Sequence, residues 1–556
     1  MKPKSTLRNF LLTAGSSLFA MSYSHAASGN WTATGGGNWS TATSWSSNPT
    51  VPGTAAGDII GLTSNIGAAA NVTINTTPRT VGILNIGDSD NTHAFTVNAS
   101  GGGTLTFNNG GSGAQINEVG SVGDTISAPI TLADNLAITA VGTLSMTGII
   151  GETGGARSIT MTGGALTLNT GNTYSGGITL NSVFLTIPAG TYGGFGSGTF
   201  TTTVGSLALA GDSSMTIGNA LNWGGSLTLQ RSGGSANALP TFSGALTLSS
   251  NLTLRLGSGT TRGTAIFTNN ISGAFGITAS SEGANAGTSV LTLSGANNTF
   301  SGGLTLTQPK ANLTLNINSA TALGATTGTL TIGGSTVTIN NTSGAAITLA
   351  NNNPLAINNN FTFTGSSDLN MGTGAVNLGN GTRTITTTAG TLTLGGVISN
   401  GGITKAGVGT LVLSGANNYT TATLVNVGLL NVTGSLTSAV TVASGAFLSG
   451  TGTTTGTLTL SAGSTIVGTT AGNSFRAATV GTTSAVNIVG NDGSGTIGSK
   501  TIGVVRYNTG TGPTTANFST AGYHAGASVA NVGTSGGETQ LSYTSAARTW
   551  DSAAGT

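Results

Sequence analysis

The sequence predicts an all-β chain wound as a right-handed parallel β-helix, or β-solenoid, with a Trp-rich N-terminal cap and a C-terminal β cap. Three observations lead there. Apolar–polar–apolar triplets recur from about Asn71 onward, among them Val72-Thr73-Ile74, Leu166-Thr167-Leu168, Leu304-Thr305-Leu306 and Leu392-Thr393-Leu394. This is the period of a strand with one buried face. Gly, Asn and Ser lie between the triplets, where turns need positive φ angles and local side-chain bonds. Charge is nearly absent: 5% of the 556 residues are Asp, Glu, Lys or Arg, against ~25% in an average soluble domain.

Stacking explains the missing charge. Each coil of a solenoid lies ~4.8 Å above the last, so a residue type repeated at one position sits on itself. Like charges repel at that distance, whereas Thr, Asn and apolar side chains form ladders. Disorder is the competing reading for a chain with 93 Gly. Disordered chains are poor in apolar residues, and this one is 37% hydrophobic. About 400 residues at ~20 per coil give an expectation of ~20 coils, held by contacts between neighbours.

Taken in order, residues 1–26 read as a signal peptide. Lys2, Lys4 and Arg8 precede the apolar run Phe10 to Met21, and Ser24-His25-Ala26 offers small residues two apart before cleavage between Ala26 and Ala27. The run is short for a spanning helix of ~20 residues, although an N-terminal anchor is the alternative. Cleavage removes three of the 15 bases and none of the 13 acids, which leaves 12 against 13 and a charge of −1. The basicity therefore belongs to targeting, and no nucleic-acid partner is expected. No later segment has the apolar length of a transmembrane helix.

Residues 27–70 hold Trp31, Trp39 and Trp45. Clustered rings suit a hydrophobic cap on a repeat stack. The alternative is a glycan-binding platform with coplanar exposed rings. The solenoid proper is expected over 71–466. From 467 to 556 the Leu-Thr-Leu habit gives way to more aromatic runs, Thr501 to Tyr507, Phe518 to Tyr523 and Leu541 to Tyr543, which suit antiparallel strands covering the last coil. Ala547 to Ser552 looks like the opening of another module that stops short.

The best-kept unit is Gly401 to Val432, GGITKAGVGTLVLSGANNYTTATLVNVGLLNV, with looser copies starting at Leu166 and Leu291. It resembles the autotransporter-associated β-strand repeat, also called the passenger-associated transport repeat. Gly401, Gly402, Lys405, Gly407, Gly409, Thr410, Leu411, Leu413, Ser414, Gly415, Asn417, Tyr419 and Thr420 match that pattern, while Thr421-Ala422 replaces its usual Gly pair. The resemblance implies a β-helical passenger: a secreted or cell-surface protein, outer-membrane associated, of a Gram-negative-type bacterium. Many passengers end in an outer-membrane barrel. The segment after the repeats is too short for one, so the expectation is either a fragment or a chain anchored by other means.

Chemistry is sparse. There is no Cys, which excludes disulfides and thiolate sites. The mature histidines are His93 and His524, too few for a zinc site and without a Ser-His-Asp context. Among the thirteen acids only Asp88 and Asp90 are close. They suit a solvated turn better than a calcium loop, because the rest of such a loop is missing. Lys405 suits a residue that caps or solvates a turn better than a catalytic base. The expectation is no catalytic, cofactor or metal residues and a structural or adhesin-like role, with extracellular polysaccharide or other cell surfaces as partners through repeated weak contacts. A β-helical polysaccharide lyase or hydrolase is the alternative; it would need converging carboxylates in a groove.

Overall fold

The computed structural model describes residues 27–545, apart from 121, 187–189, 204–205, 211–214, 231–239, 258–262, 284–286, 308–309, 471–472, 483–485, 491–497, 509–512, 520–526 and 533–536. The signal segment, Asp212, Asp492, His524 and the Trp550 region thus lie outside the described residues. The described chain consists of strands joined by turns and loops, and its helical residues are two short 3-10 turns at Ala42–Ser44 and Thr515–Asn517. Its parallel strands stack into a β-solenoid of about 16 turns. That is fewer than the ~20 coils expected from ~20 residues each, because many coils are longer. Asn117 meets Asn85 of the coil below across 32 residues, while Asn417 meets Ser435 of the next coil across only 18. The extra residues go into the corners.

The triplets are the strands. Leu304, Leu330, Leu355, Val376 and Ile398 stack in register on five successive coils, with Thr305 and Thr331 on the outer side. Each of these apolar residues is buried. Alternation at a period of two therefore sorts side chains into an inner apolar column and an outer polar one. In the best-kept unit, Ile403–Lys405 pairs with Thr423–Val425, and Thr410–Leu413 pairs with Leu429–Val432. A third side is reached at the bridge of Ala416 to Ser435.

The ends differ from the expected boundaries. The Trp-rich segment is itself a coil: Gly29–Asn30 pairs in parallel with Ile59–Leu62. Trp31, Trp39 and Trp45 fill its interior, each no more than 2% exposed. Trp45 lies 5.0 Å from Trp31 and 5.1 Å from Trp39, centroid to centroid, and all three indole N–H groups donate to carbonyls. Rings buried in this way cannot stack on a sugar, so the glycan-platform reading of these tryptophans is overturned and the cap reading holds. At the other end, parallel stacking runs past residue 466, through Val486–Gly490. Antiparallel pairing enters where the end of Thr465–Thr470 meets Gly498–Tyr507, and continues with Gly498–Tyr507 against Glu538–Ser545, which Ser528–Val532 extends.

One stretch of the interior is aromatic. Tyr192, Phe195, Phe200, Trp223, Phe242 and Phe267 form a continuous column with neighbouring centroids 4.3–5.6 Å apart. Trp223 sits in the middle and touches Phe200, Phe242 and Phe267. A solenoid is stabilised coil by coil, so removing this ring acts locally. Trp223→Ala is expected to cost about 3–5 kcal/mol. Hydrogen exchange should accelerate first in Phe200–Thr202 and Pro240–Phe242, with the Trp-rich end unaffected.

Candidate functional site

The repeat motif resolves into a structural bracket. Asn417 is 1% exposed. Its Oδ1 accepts the Ile398 N–H of the coil below at 3.0 Å, and its Nδ2 donates to Gly415 O at 2.9 Å and to Ser435 O of the coil above at 3.1 Å. The looser copies repeat the arrangement. Asn172 accepts from Ile150 N–H and donates to Gly194 O, and Asn298 accepts from Ile271 N–H and donates to Ala322 O. In each copy the bracketing Asn stands two residues before a buried aromatic, Tyr419, Tyr174 or Phe300. The Tyr419 hydroxyl joins Thr423 Oγ1, which bonds to Ser438 Oγ.

The other motif residues serve the same corner. Leu411 and Leu413 are core. Gly407 adopts φ +77°, and a Cβ there would strike the Thr387 carbonyl. A Cβ on Gly415 would strike Gly396 O. Lys405 takes an inward position, between Ile385 below and Val425 above, and is fully buried. Its Nζ donates to Ala406 O at 2.9 Å, Gly407 O at 2.6 Å and Val427 O at 3.0 Å. Burial lowers its pKa to about 8, which leaves it a cation at neutral pH. It caps a turn, as expected; it does not solvate one.

The acids also serve the backbone. Asp58 Oδ2 accepts the N–H groups of Gly53, Thr54 and Ala55, Asp134 those of Asn109 and Gly111, and Glu118 those of Val141 and Gly142. Asp88 corrects the expectation of a solvated turn, since it is 2% exposed whereas Asp90 is exposed. Burial disfavours the charge of Asp88. The contact with Asp90 and the N–H groups of Ile66, His93 and Thr92 outweigh that, and hold its carboxyl down at about 2. Among the described residues no set of three His, Asp or Glu side chains converges on a point where a metal ion would sit.

The surface offers a different arrangement. On four consecutive coils, Thr314, Thr338, Thr362 and Thr386 stack in register on the outer side. A second column, Asn312, Thr336, Asn360 and Thr384, stands two residues before it. Thr384 N–H donates to Asn360 Oδ1 at 2.8 Å and ties neighbouring coils. The spacing is ~4.8 Å between coils and ~6.7 Å along each strand. All of these residues except Thr314 line a shallow depression of about 420 Å³ whose lining includes no charged residue. A second uncharged depression, about 450 Å³, lies over Asn380, Asn400, Asn418 and Thr420 beside the motif corner. Hydroxyls and amides donate and accept without titrating, so this face can bind neutral polar groups but offers no acid or base. The sequence signal for it was present in the Thr of each triplet, although which Thr align depends on corner lengths.

Comparison with protein-family models, curated proteins and solved structures finds no match. Among the described residues no helix is long and apolar enough to cross a membrane.

Two substitutions test the bracket. Asn417→Ala strands the Ile398 N–H, while the Ser435 carbonyl keeps the backbone N–H of residue 417, and is expected to cost about 1–3 kcal/mol, read by urea unfolding and by loss of protection at the Ile398 amide. Lys405→Met keeps the apolar stem but orphans three carbonyls, at an expected cost of about 1.5–3 kcal/mol. Unchanged stability in either variant contradicts the assigned role.

Proposed function

We propose that the protein is an exported, elongated scaffold of the bacterial cell surface, without catalytic activity, that adheres to neutral hydroxyl-rich polymers through its Thr and Asn columns. The observation that carries the reading is the double column on four coils, 312–386: a periodic, uncharged array of groups that both donate and accept. Each contact of this kind is weak, and affinity comes from repetition along an extended partner. Extracellular polysaccharide has the matching chemistry, with a hydroxyl-bearing unit repeated along a linear chain.

Export is supported by the basic, apolar and small-residue succession of 1–26. The match of Gly401 to Val432 to the autotransporter-associated repeat pattern supports a passenger-like surface location. Against a lyase or hydrolase stands the use made of the acids. Asp58, Asp88, Glu118, Asp124 and Asp134 are buried and accept backbone N–H groups, whereas glycoside chemistry needs two carboxyls flanking an accessible bond.

The test is binding to immobilised neutral polysaccharides, with a polyanionic one for comparison. Thr338→Val with Thr362→Val preserves β-branched shape and removes two hydroxyls. Binding to the neutral polymer is expected to weaken about tenfold, with an unchanged thermal midpoint. Equal binding by the variant, or preference for the charged polymer, would refute the assigned face.

A further inference from the structure

Glu118 and Asp124 flank one corner of a single coil. Glu118 is the last inward residue of Ala114–Glu118, and Asp124 the first of Asp124–Ile126. Both are buried, at 1% and 0% exposure. Each uses one oxygen on the backbone of a neighbouring coil: Glu118 Oε2 accepts from Val141 and Gly142 above, and Asp124 Oδ1 accepts from Phe95 below at 2.8 Å. The other oxygen of each, Glu118 Oε1 and Asp124 Oδ2, is buried and has no hydrogen-bond partner.

The surroundings supply no positive charge to this corner. Asp88 occupies the corner of the coil below, two residues after Ile86, which pairs with Glu118. Its neighbours there are Asp90 and His93, whose Nδ1 lies 3.9 Å from Asp88 Oδ2. The strands above and below Asp124 bring Leu144 and Phe95. Among the described residues no Lys or Arg forms an ion pair with Glu118 or Asp124. Arg79, buried on another side in register with Leu105, does not reach them. Two carboxylates cannot both remain ionised at low dielectric without a compensating charge.

We propose that buried Asp124 is a binding site for one proton, and that loss of this proton loosens the corner that ties the coils of Phe95, Glu118 and Gly142 together. The step is simple ionisation: a carboxylic O–H breaks, the proton leaves to solvent and Asp124 gains one negative charge. Burial, with the charges of Glu118 and Asp88, raises the Asp124 pKa to about 7, against the pull of the Phe95 N–H. The folded state then holds a proton that the unfolded chain releases near pH 4. The contribution of this group to stability is therefore greatest in acid, falls as pH rises from about 4 to about 7, and is flat above that. Asp88 acts oppositely and in a lower window, losing its contribution as pH falls below about 4 toward 2.

The test uses the full chain from pH 4 to 9. The ¹³C shift of the Asp124 carboxyl in the unaltered protein should titrate near neutrality, and the thermal midpoint should fall by several degrees between pH 5 and pH 8. Asp124→Asn keeps an acceptor for Phe95 N–H and adds N–H donors toward Glu118. It is expected to flatten the profile and to raise the midpoint at pH 8, and Glu118→Gln should do the same. Titration of Asp124 below pH 5, or a pH profile unaltered in both variants, overturns the proposal. So does a rise in midpoint on adding calcium at pH 8 that Asp124→Asn abolishes, since the pair would then be a metal site.

Discussion

The ~4.8 Å step from coil to coil is the constraint from which the rest of the molecule follows. It places Leu on Leu inside and Thr on Thr outside, and it disfavours stacked like charges along the strands, which the described residues show at Arg476 on Arg506 near the C-terminal end. Leu304 through Ile398 and Thr314 through Thr386 are two consequences of one spacing, the first a core and the second a surface. A narrow interior of this kind has no central cluster. Stability resides in each coil's contact with its neighbours, and the aromatic column from Tyr192 to Phe267 is a local reinforcement of that contact.

Strands satisfy their own backbone across the ladder, but corners do not. Buried N–H and C=O groups at a corner need a side chain or they cost free energy. Several buried side-chain amides stand there. Asn417, Asn298 and Asn172 each accept from one coil and donate to another. Lys405 collects three carbonyls that face inward at one turn.

This division explains what the sequence made legible. Strand positions obey a period of two, and the triplets, Leu411 to Leu413 included, stand where that period puts them. The partner of each triplet depends on corner length, which ranges widely, so the alignment of Thr338 on Thr362 could not be read. Asn298 makes the point in one residue. Counting forward from Leu293 selects Asn297, by analogy with Leu413 and Asn417, but the working residue is Asn298, because the bracket is set by distance back from the buried aromatic. Asp88 read as isolated because 30 residues separate it from Glu118 along the chain, while the pairing of Ile86 with Glu118 puts it on the coil directly below. The Trp burial was legible as a cap, but its being a full coil was not, since Gly29–Asn30 carries no triplet.

The two kinds of corner chemistry also differ in what they permit. A carboxylate only accepts, so it suits wide corners where several N–H groups converge, as at Asp58 and Asp134 in the longer N-terminal coils. An amide accepts and donates, so it suits the tight coils around Asn417, where one side chain must serve the coil below and the coil above. Substituting a carboxylate for Asn417 would leave the Ser435 and Gly415 carbonyls facing an anion. Glu118 and Asp124 flank one such corner, each with a buried oxygen that has no donor, and a proton is the smallest species that supplies one. The same reasoning bears on function. Acids of the N-terminal coils hold the backbone, and the outer columns of 312–386 present neutral groups.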